Sequence, residues 1–175
     1  MELKELTERM LDLLDISEIK DIPIELFQVV RSNDVSVFEA FSEIVPDLNT
    51  DWLQKVYQYY MADRKEKMQD YTPKSLAQFM SKLAGNGDIM TDLCAGSGAL
   101  TIQHWVRNKD QKFELYEVDE KVIPILLFNM AVRNIECTVY HADVLQQEIY
   151  HTYRIKKGEK FGVFLEVENE KNVNF

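Results

Sequence analysis

The chain is short of what marks a secreted, membrane-bound or metal-bound protein. Its two cysteines, Cys94 and Cys137, are too few for a disulfide framework, and their spacing suggests no metal site. No secretory leader opens it, since Met-Glu-Leu-Lys-Glu-Leu-Thr-Glu is charged and helix-like. The longest apolar run, Val122 to Phe128, is far shorter than the roughly 20 residues that span a bilayer, and it contains Pro124. These absences predict a reduced, cytoplasmic protein with no membrane association.

Basic charge is scarce too. Twenty Lys and Arg face thirty Asp and Glu, a net charge of −10. A protein that grips a phosphate backbone unaided carries a basic patch or stripe. Here the densest basic stretches are Arg64-Lys65-Glu66-Lys67 and Arg154-Ile155-Lys156-Lys157, which read as solvated faces or turns. The chain alone is expected to bind DNA poorly. What is plentiful is ordinary: 46% hydrophobic and 29% charged residues over 175 positions exclude a disordered chain and allow one substantial core.

Residues 1 to 68 read as a helical N-terminal module. Leu3, Leu6, Met10, Leu13 and Leu14 recur at helical spacing, with Asp15 or Ser17 to close the segment. Pro23 marks a second helix start, Asp34 caps a third helix stopped by Pro46, and Asn49 or Thr50 caps a fourth carrying Trp52, Leu53, Val56, Tyr59 and Tyr60. After residue 70 the texture changes. Thr72-Pro73 opens a helix through Leu83. Strands follow at Ile89–Leu93, Lys112–Val118, Cys137–His141 and Lys160–Val167, alternating with helices at Ala99–Arg107 and Glu120–Asn134. That order is the start of a doubly wound α/β sheet, whose ligands sit at the carboxyl ends of the strands.

Asp92-Leu93-Cys94-Ala95-Gly96-Ser97-Gly98 lies between a strand and a helix. Glycines there allow a tight turn and close approach of a ligand, and the helix start offers unpaired amides. Many strand-to-helix turns need glycine for steric reasons alone, so the loop is weighed with its neighbours. Glu117 ends the next strand about twenty residues on, where a carboxylate accepts hydrogen bonds from a ribose diol. Asp143 ends the third strand, where a side chain meets a bound adenine. Each acid alone reads equally as a helix cap; together they describe a nucleoside site. A dinucleotide fingerprint would place a third glycine where Thr101 stands. Asp92 also suits a ligand with an ammonium and a sulfonium better than a pyrophosphate. Both features favour S-adenosylmethionine over a nicotinamide dinucleotide.

Gln69-Asp70-Tyr71-Thr72-Pro73, the Asp92–Gly98 loop, Glu117-Val118-Asp119 and Ala142-Asp143 occur in this order and spacing. The set resembles the N-6 adenine-specific DNA methylases, in particular the methylation subunits of type I restriction–modification systems. Asn129 and Met130, in the helix after Glu117, are similar to that family as well. The resemblance covers residues 69 to about 145 and implies a Rossmann-like methyltransferase core, residues 69–175, behind an all-helical module, residues 1–68. It implies that Tyr71 and Thr72 lie near the methionine carboxylate and Asp92 near the ammonium. Cys94, Gly96 and Gly98 would form the cofactor loop, Glu117 would bind the ribose hydroxyls, and Asp143 would accept from the adenine amino group.

The family's catalytic element, Asn-Pro-Pro-Tyr or Asn-Pro-Pro-Phe, follows its fourth strand and holds a flipped-out adenine. Phe161-Gly162-Val163-Phe164-Leu165 resembles that strand, but Glu166-Val167-Glu168-Asn169 follows, and Pro124 is the last proline. No catalytic residue is assigned, and the sheet is expected to be incomplete. Alternatively, Thr152–Ile155 and Lys160–Val167 flank Lys156-Lys157-Gly158-Glu159 as a hairpin. Two functions remain open. One is the cofactor-binding part of an adenine DNA methyltransferase whose partner or further segment supplies catalysis and target recognition. The other is a non-catalytic cofactor-sensing or interaction module. A small-molecule or protein methyltransferase fits the Gln-x-Tyr-Thr-Pro element less well, and a nicotinamide-dependent oxidoreductase is disfavoured at Thr101.

Overall fold

The computed structural model describes residues 1–61, 72–85 and 87–167. Helices α1 (Leu3–Leu14), α2 (Ile22–Ser32), α3 (Val35–Ile44) and α4 (Trp52–Tyr60) come first. Their ends are fixed locally. Asp15 and Asn33 take left-handed backbone conformations and close α1 and α2, a geometry Asn and Asp tolerate. Asp34 accepts from the Ser36 N–H at 3.0 Å and starts α3. The cap of α4 is Asp51, which accepts from the Gln54 N–H at 2.9 Å. Asn49 and Thr50 precede it and do not fill that role.

Helix α5 (Lys74–Leu83) then leads into β1 (Ile89–Asp92), α6 (Ala99–Arg107), β2 (Lys112–Glu117), α7 (Ile123–Val132) and β3 (Cys137–Asp143). The sheet is completed by β4 (Glu148–Lys156) and β5 (Val163–Val167). Strand order follows chain order, β1-β2-β3-β4-β5. The first three strands are parallel, and β3, β4 and β5 pair antiparallel. The fold is therefore a mixed five-stranded sheet with helices, consistent with a methyltransferase-like fold. Phe161–Leu165 does not continue the parallel sheet. It enters β5, whose partner is β4, so the hairpin describes this stretch. The left-handed Gln147 (φ 57°) lets the chain reverse into a β4 that begins four residues before the expected Thr152.

Every residue of α7 is buried. A helix that is apolar all round must be covered on all sides; the sheet and the N-terminal helices cover this one. Phe38 and Phe41 place their rings 5.4 and 5.1 Å from Phe128 of α7. Phe38 also meets Phe161 at 5.5 Å, and Phe27 meets Tyr153 edge-on at 5.8 Å, near-perpendicular and tilted geometries that aromatic pairs favour. Asn33 ties α2 to β5 through its Oδ1, which accepts from the Phe164 N–H at 2.7 Å. Most buried apolar side chains of helices and sheet form one cluster, and Tyr116, Tyr140 and Ala142 form a second, smaller one. The boundary expected at residues 68/69 lies outside the described residues.

The opposite edge is open. Strand β1 is the terminal strand of the sheet. Along α5, Leu76, Phe79, Met80 and Leu83 are exposed, as are Ile89 and Leu93 beside it in sequence. Among the described residues no helix is long and apolar enough to cross a membrane.

Phe128→Ala is expected to cost about 3–5 kcal/mol by removing the ring on which two N-terminal phenylalanines close. Ile24→Ala, at an exposed position of α2, should change stability by less than about 0.5 kcal/mol. Urea unfolding of both variants checks the contrast; equal losses would mean that the helices do not depend on α7.

Candidate cofactor site

Parallel pairing brings the carboxyl ends of β1, β2 and β3 to one side of the sheet. Asp92 is level with Leu115, and Glu117 with His141, so the strand ends step outward from β1 to β3. The Ala95 N–H donates to the Tyr116 carbonyl at 2.9 Å and prolongs the β1–β2 ladder into the loop. Gly96 then takes a left-handed φ of 55°, which turns its N–H onto Glu117. The Gly96 amide donates to Glu117 Oε2 at 2.8 Å, and the Asp119 amide donates to Oε1 at 2.8 Å. One carboxylate thus fastens the glycine loop to the turn after the next strand.

Gly98 starts α6 with φ 94°. A Cβ there would stand 2.7 Å from the Met130 Cε and 3.0 Å from the Leu126 Cδ1. Both atoms are the mobile ends of flexible side chains, so the left-handed φ is the firmer reason for glycine there, before any ligand is considered. Asp92 Oδ1 accepts from the Cys94 N–H at 3.2 Å, while Oδ2 is buried and unpartnered among the described residues. Burial pushes the Asp92 carboxyl up, against the pull of the Cys94 amide. Burial also pushes Glu117 up, opposed by the amides of Asp119 and Gly96. Cys94 is exposed, and its thiol is raised by desolvation and then by the charges of Glu117 and Asp92. The raised thiol disfavours the thiolate form, the nucleophile among cysteine's states.

The remaining expected residues are less closely joined. Asp143 uses Oδ1 to accept from the Leu145 and Gln146 amides at 3.0 and 3.1 Å, and Oδ2 accepts from the Gln146 side chain at 3.0 Å. It organises its own turn, at the end of the strand beyond Glu117. Thr72 lies just before α5, and its carbonyl accepts from Gln54 Nε2 at 3.4 Å. The helix begins at Lys74 with Pro73 at the boundary and no side-chain cap, so Thr72 does not cap it as Thr-Pro suggested. Tyr71 lies outside the described residues, as does most of the Gln-x-Tyr element.

Behind the loop sits a polar group that the sequence did not reveal. Asp51 is buried against Arg133 and Asn129. Asn129 Nδ2 donates to Asp51 Oδ1 at 3.0 Å and to the Ser97 carbonyl at 2.9 Å. Arg133 donates from Nη1 to Asn129 Oδ1 at 2.8 Å, from Nε to the Leu48 carbonyl at 2.7 Å, and from Nη2 to the Thr50 carbonyl at 2.9 Å. Burial pushes Asp51 up and Arg133 holds it down; burial presses the guanidinium down to about 10. The helical spacing of Asn129 and Arg133 was legible, but their partners, some eighty positions earlier, were not. Among the described residues no cluster of His, Cys, Asp and Glu is disposed to hold a metal.

A family model described as N-6 DNA methylase matches residues 48–163, more than half of the chain. The match begins at the loop that Arg133 holds and includes the glycine loop, Glu117 and Asp143. No curated protein and no solved structure gives a significant match.

The raised pKa of Asp92 has a sign that can be checked. A carboxyl raised in the fold contributes stability below its ordinary value of 3.8 and loses that contribution as pH climbs through the folded value. Asp92→Asn keeps the acceptor for the Cys94 amide and removes the buried charge. The variant is expected to be more stable than the native chain at pH 7, by on the order of 1 kcal/mol. Its advantage should shrink towards pH 4, as read by thermal melts across that range.

Proposed function

Because the chain belongs to the N-6 DNA methylase family, we propose that it is the S-adenosylmethionine-binding part of an adenine-specific DNA methyltransferase of the restriction–modification type. The observation that carries the reading is the 2.8 Å bond from Gly96 to Glu117. It sets a glycine loop against a strand-end acid whose carboxylate faces the side of the sheet where α/β proteins bind nucleosides. In a Rossmann-like reading of the sheet, Asp92 takes the methionine ammonium and Glu117 the ribose hydroxyls. Asp143 takes the adenine amino group, Thr72 and Tyr71 flank the carboxylate, and Cys94, Gly96 and Gly98 line the loop. Residues 69–175 carry the cofactor, and residues 1–68 support it from behind. Bound cofactor would supply the transferable methyl group. This chain's own residues hold and orient it, and none is assigned to the transfer.

One observation supports a need for further protein: among the described residues β1 ends the sheet, with an apolar stripe of α5 exposed next to it in sequence. A partner or additional domain that supplies catalysis and target recognition accounts for it, and for an acidic chain of a family described as N-6 DNA methylase. The second reading, a cofactor-sensing or interaction module, draws on the hairpin: β4 and β5 finish the sheet antiparallel, where a catalytic strand would run parallel.

Calorimetric titration tests the cofactor. S-adenosylmethionine is expected to bind and NAD not to. Glu117→Ala should abolish binding and Lys157→Ala should leave it intact; unchanged affinity in the Glu117 variant removes the ribose assignment. Affinity should also fall as pH is lowered, with onset above the ordinary glutamate value of 4.5 because Glu117 is raised. Protonation replaces an acceptor by a hydroxyl, and Glu117→Gln should make the profile shallower, the remaining dependence falling to Asp92, which is raised as well.

A further inference from the structure

The group behind the loop does more than fill space. Asn129 has one orientation compatible with its partners. Its Nδ2 faces two acceptors, Asp51 Oδ1 and the Ser97 carbonyl, and its Oδ1 faces a guanidinium, so the donor end is committed to the loop. Arg133, which closes α7, fixes that orientation and also grips the backbone of Leu48 and Thr50, just ahead of α4. Asp51 completes the bridge and is itself the cap of α4. Ser97 stands between Gly96, which donates to Glu117, and Gly98, whose left-handed φ of 94° favours glycine. The loop is thus held from the front by Glu117 and from behind by Asn129.

We propose that Asn129, Arg133 and Asp51 are positioning residues for the cofactor loop. They hold the Ser97 carbonyl so that the backbone of residues 94–98 is set for the methionine end of the ligand before it arrives. The inference rests on the S-adenosylmethionine reading for its ligand, and on hydrogen bonds alone for the loop. A preset loop raises affinity by removing the ordering cost of binding. The clamp acts on the methionine end, while the nucleoside end is held by Glu117 and Asp143. It therefore separates two ligands: S-adenosylmethionine, whose methionine end would meet the loop directly, and adenosine, which would meet it only through the Gly96–Glu117 bond.

The test uses isotope-labelled full chain, native and Asn129→Leu, a variant of similar shape with no polar atoms. Folding is verified by near-ultraviolet circular dichroism, and both ligands are titrated by nuclear magnetic resonance. S-adenosylmethionine is expected to weaken at least about tenfold, the equivalent of one lost hydrogen bond of about 1.4 kcal/mol, and adenosine by less than about threefold. In the unliganded protein the Gly96 and Gly98 amides should exchange with solvent faster than in the native chain, with Val139 in β3 unchanged. Equal weakening of both ligands, or loop amides that exchange no faster, overturns the proposal. If Asn129→Leu does not fold, Arg133→Lys, which keeps the charge and loses the fork, is read by the same two comparisons. Native protein that binds neither ligand defeats the cofactor reading, and amide exchange then decides the clamp by itself.

Discussion

The fold depends on a helix without a wet side. α7 presents apolar or fully satisfied side chains in every direction, and such a helix is stable only when covered all round. The sheet covers one side. The other falls to α2 and α3: Phe38 and Phe41 of α3 close on Phe128, Phe38 also meets Phe161, and Phe27 of α2 meets Tyr153 and Phe164 of the sheet. The N-terminal helices share a buried cluster with the sheet. Because α7 also carries Asn129 and Met130 and ends at Arg133, the element that binds the helices to the sheet is the one that shapes the glycine loop.

That shared origin explains the chemistry at the strand ends. Asp92 and Glu117 are carboxylates in partly buried positions, and burial raises both. Asp92 Oδ2, at the end of β1, is buried with no partner among the described residues. Desolvated acids beside a glycine turn cost stability, a pattern expected where function and stability compete. The family to which the chain belongs supplies the same expectation independently.

Local signals carried much of this. Apolar spacing gave α1, and Asp34 gave the start of α3, because caps and periodicity act over a few residues. Helix α6 appeared at its expected bounds, since Gly98 and the turn at Asn108 are both local. The loop, Glu117 and Asp143 were legible because strand ends and glycines are marked in sequence. What was not legible was pairing at a distance. The α4 cap fell on Asp51 rather than Asn49 or Thr50, since Asp51 also answers to Asn129, 78 positions away. Likewise Phe161–Leu165 carries the composition of a parallel strand, and only its register with β4 places it in a hairpin. Gly98 was read as room for a ligand, whereas its left-handed φ of 94° supplies the nearer reason.

Cys94 gives the site one further property. A thiol within the loop of a sulfonium-binding protein would be an internal rival for the methyl group, because thiolates attack sulfonium carbon readily and thiols do not. Here desolvation, and after it the charges of Glu117 and Asp92, push the Cys94 thiol up. In the proposed reading, the acids that would grip the ligand also disfavour the thiolate of a cysteine in the same loop.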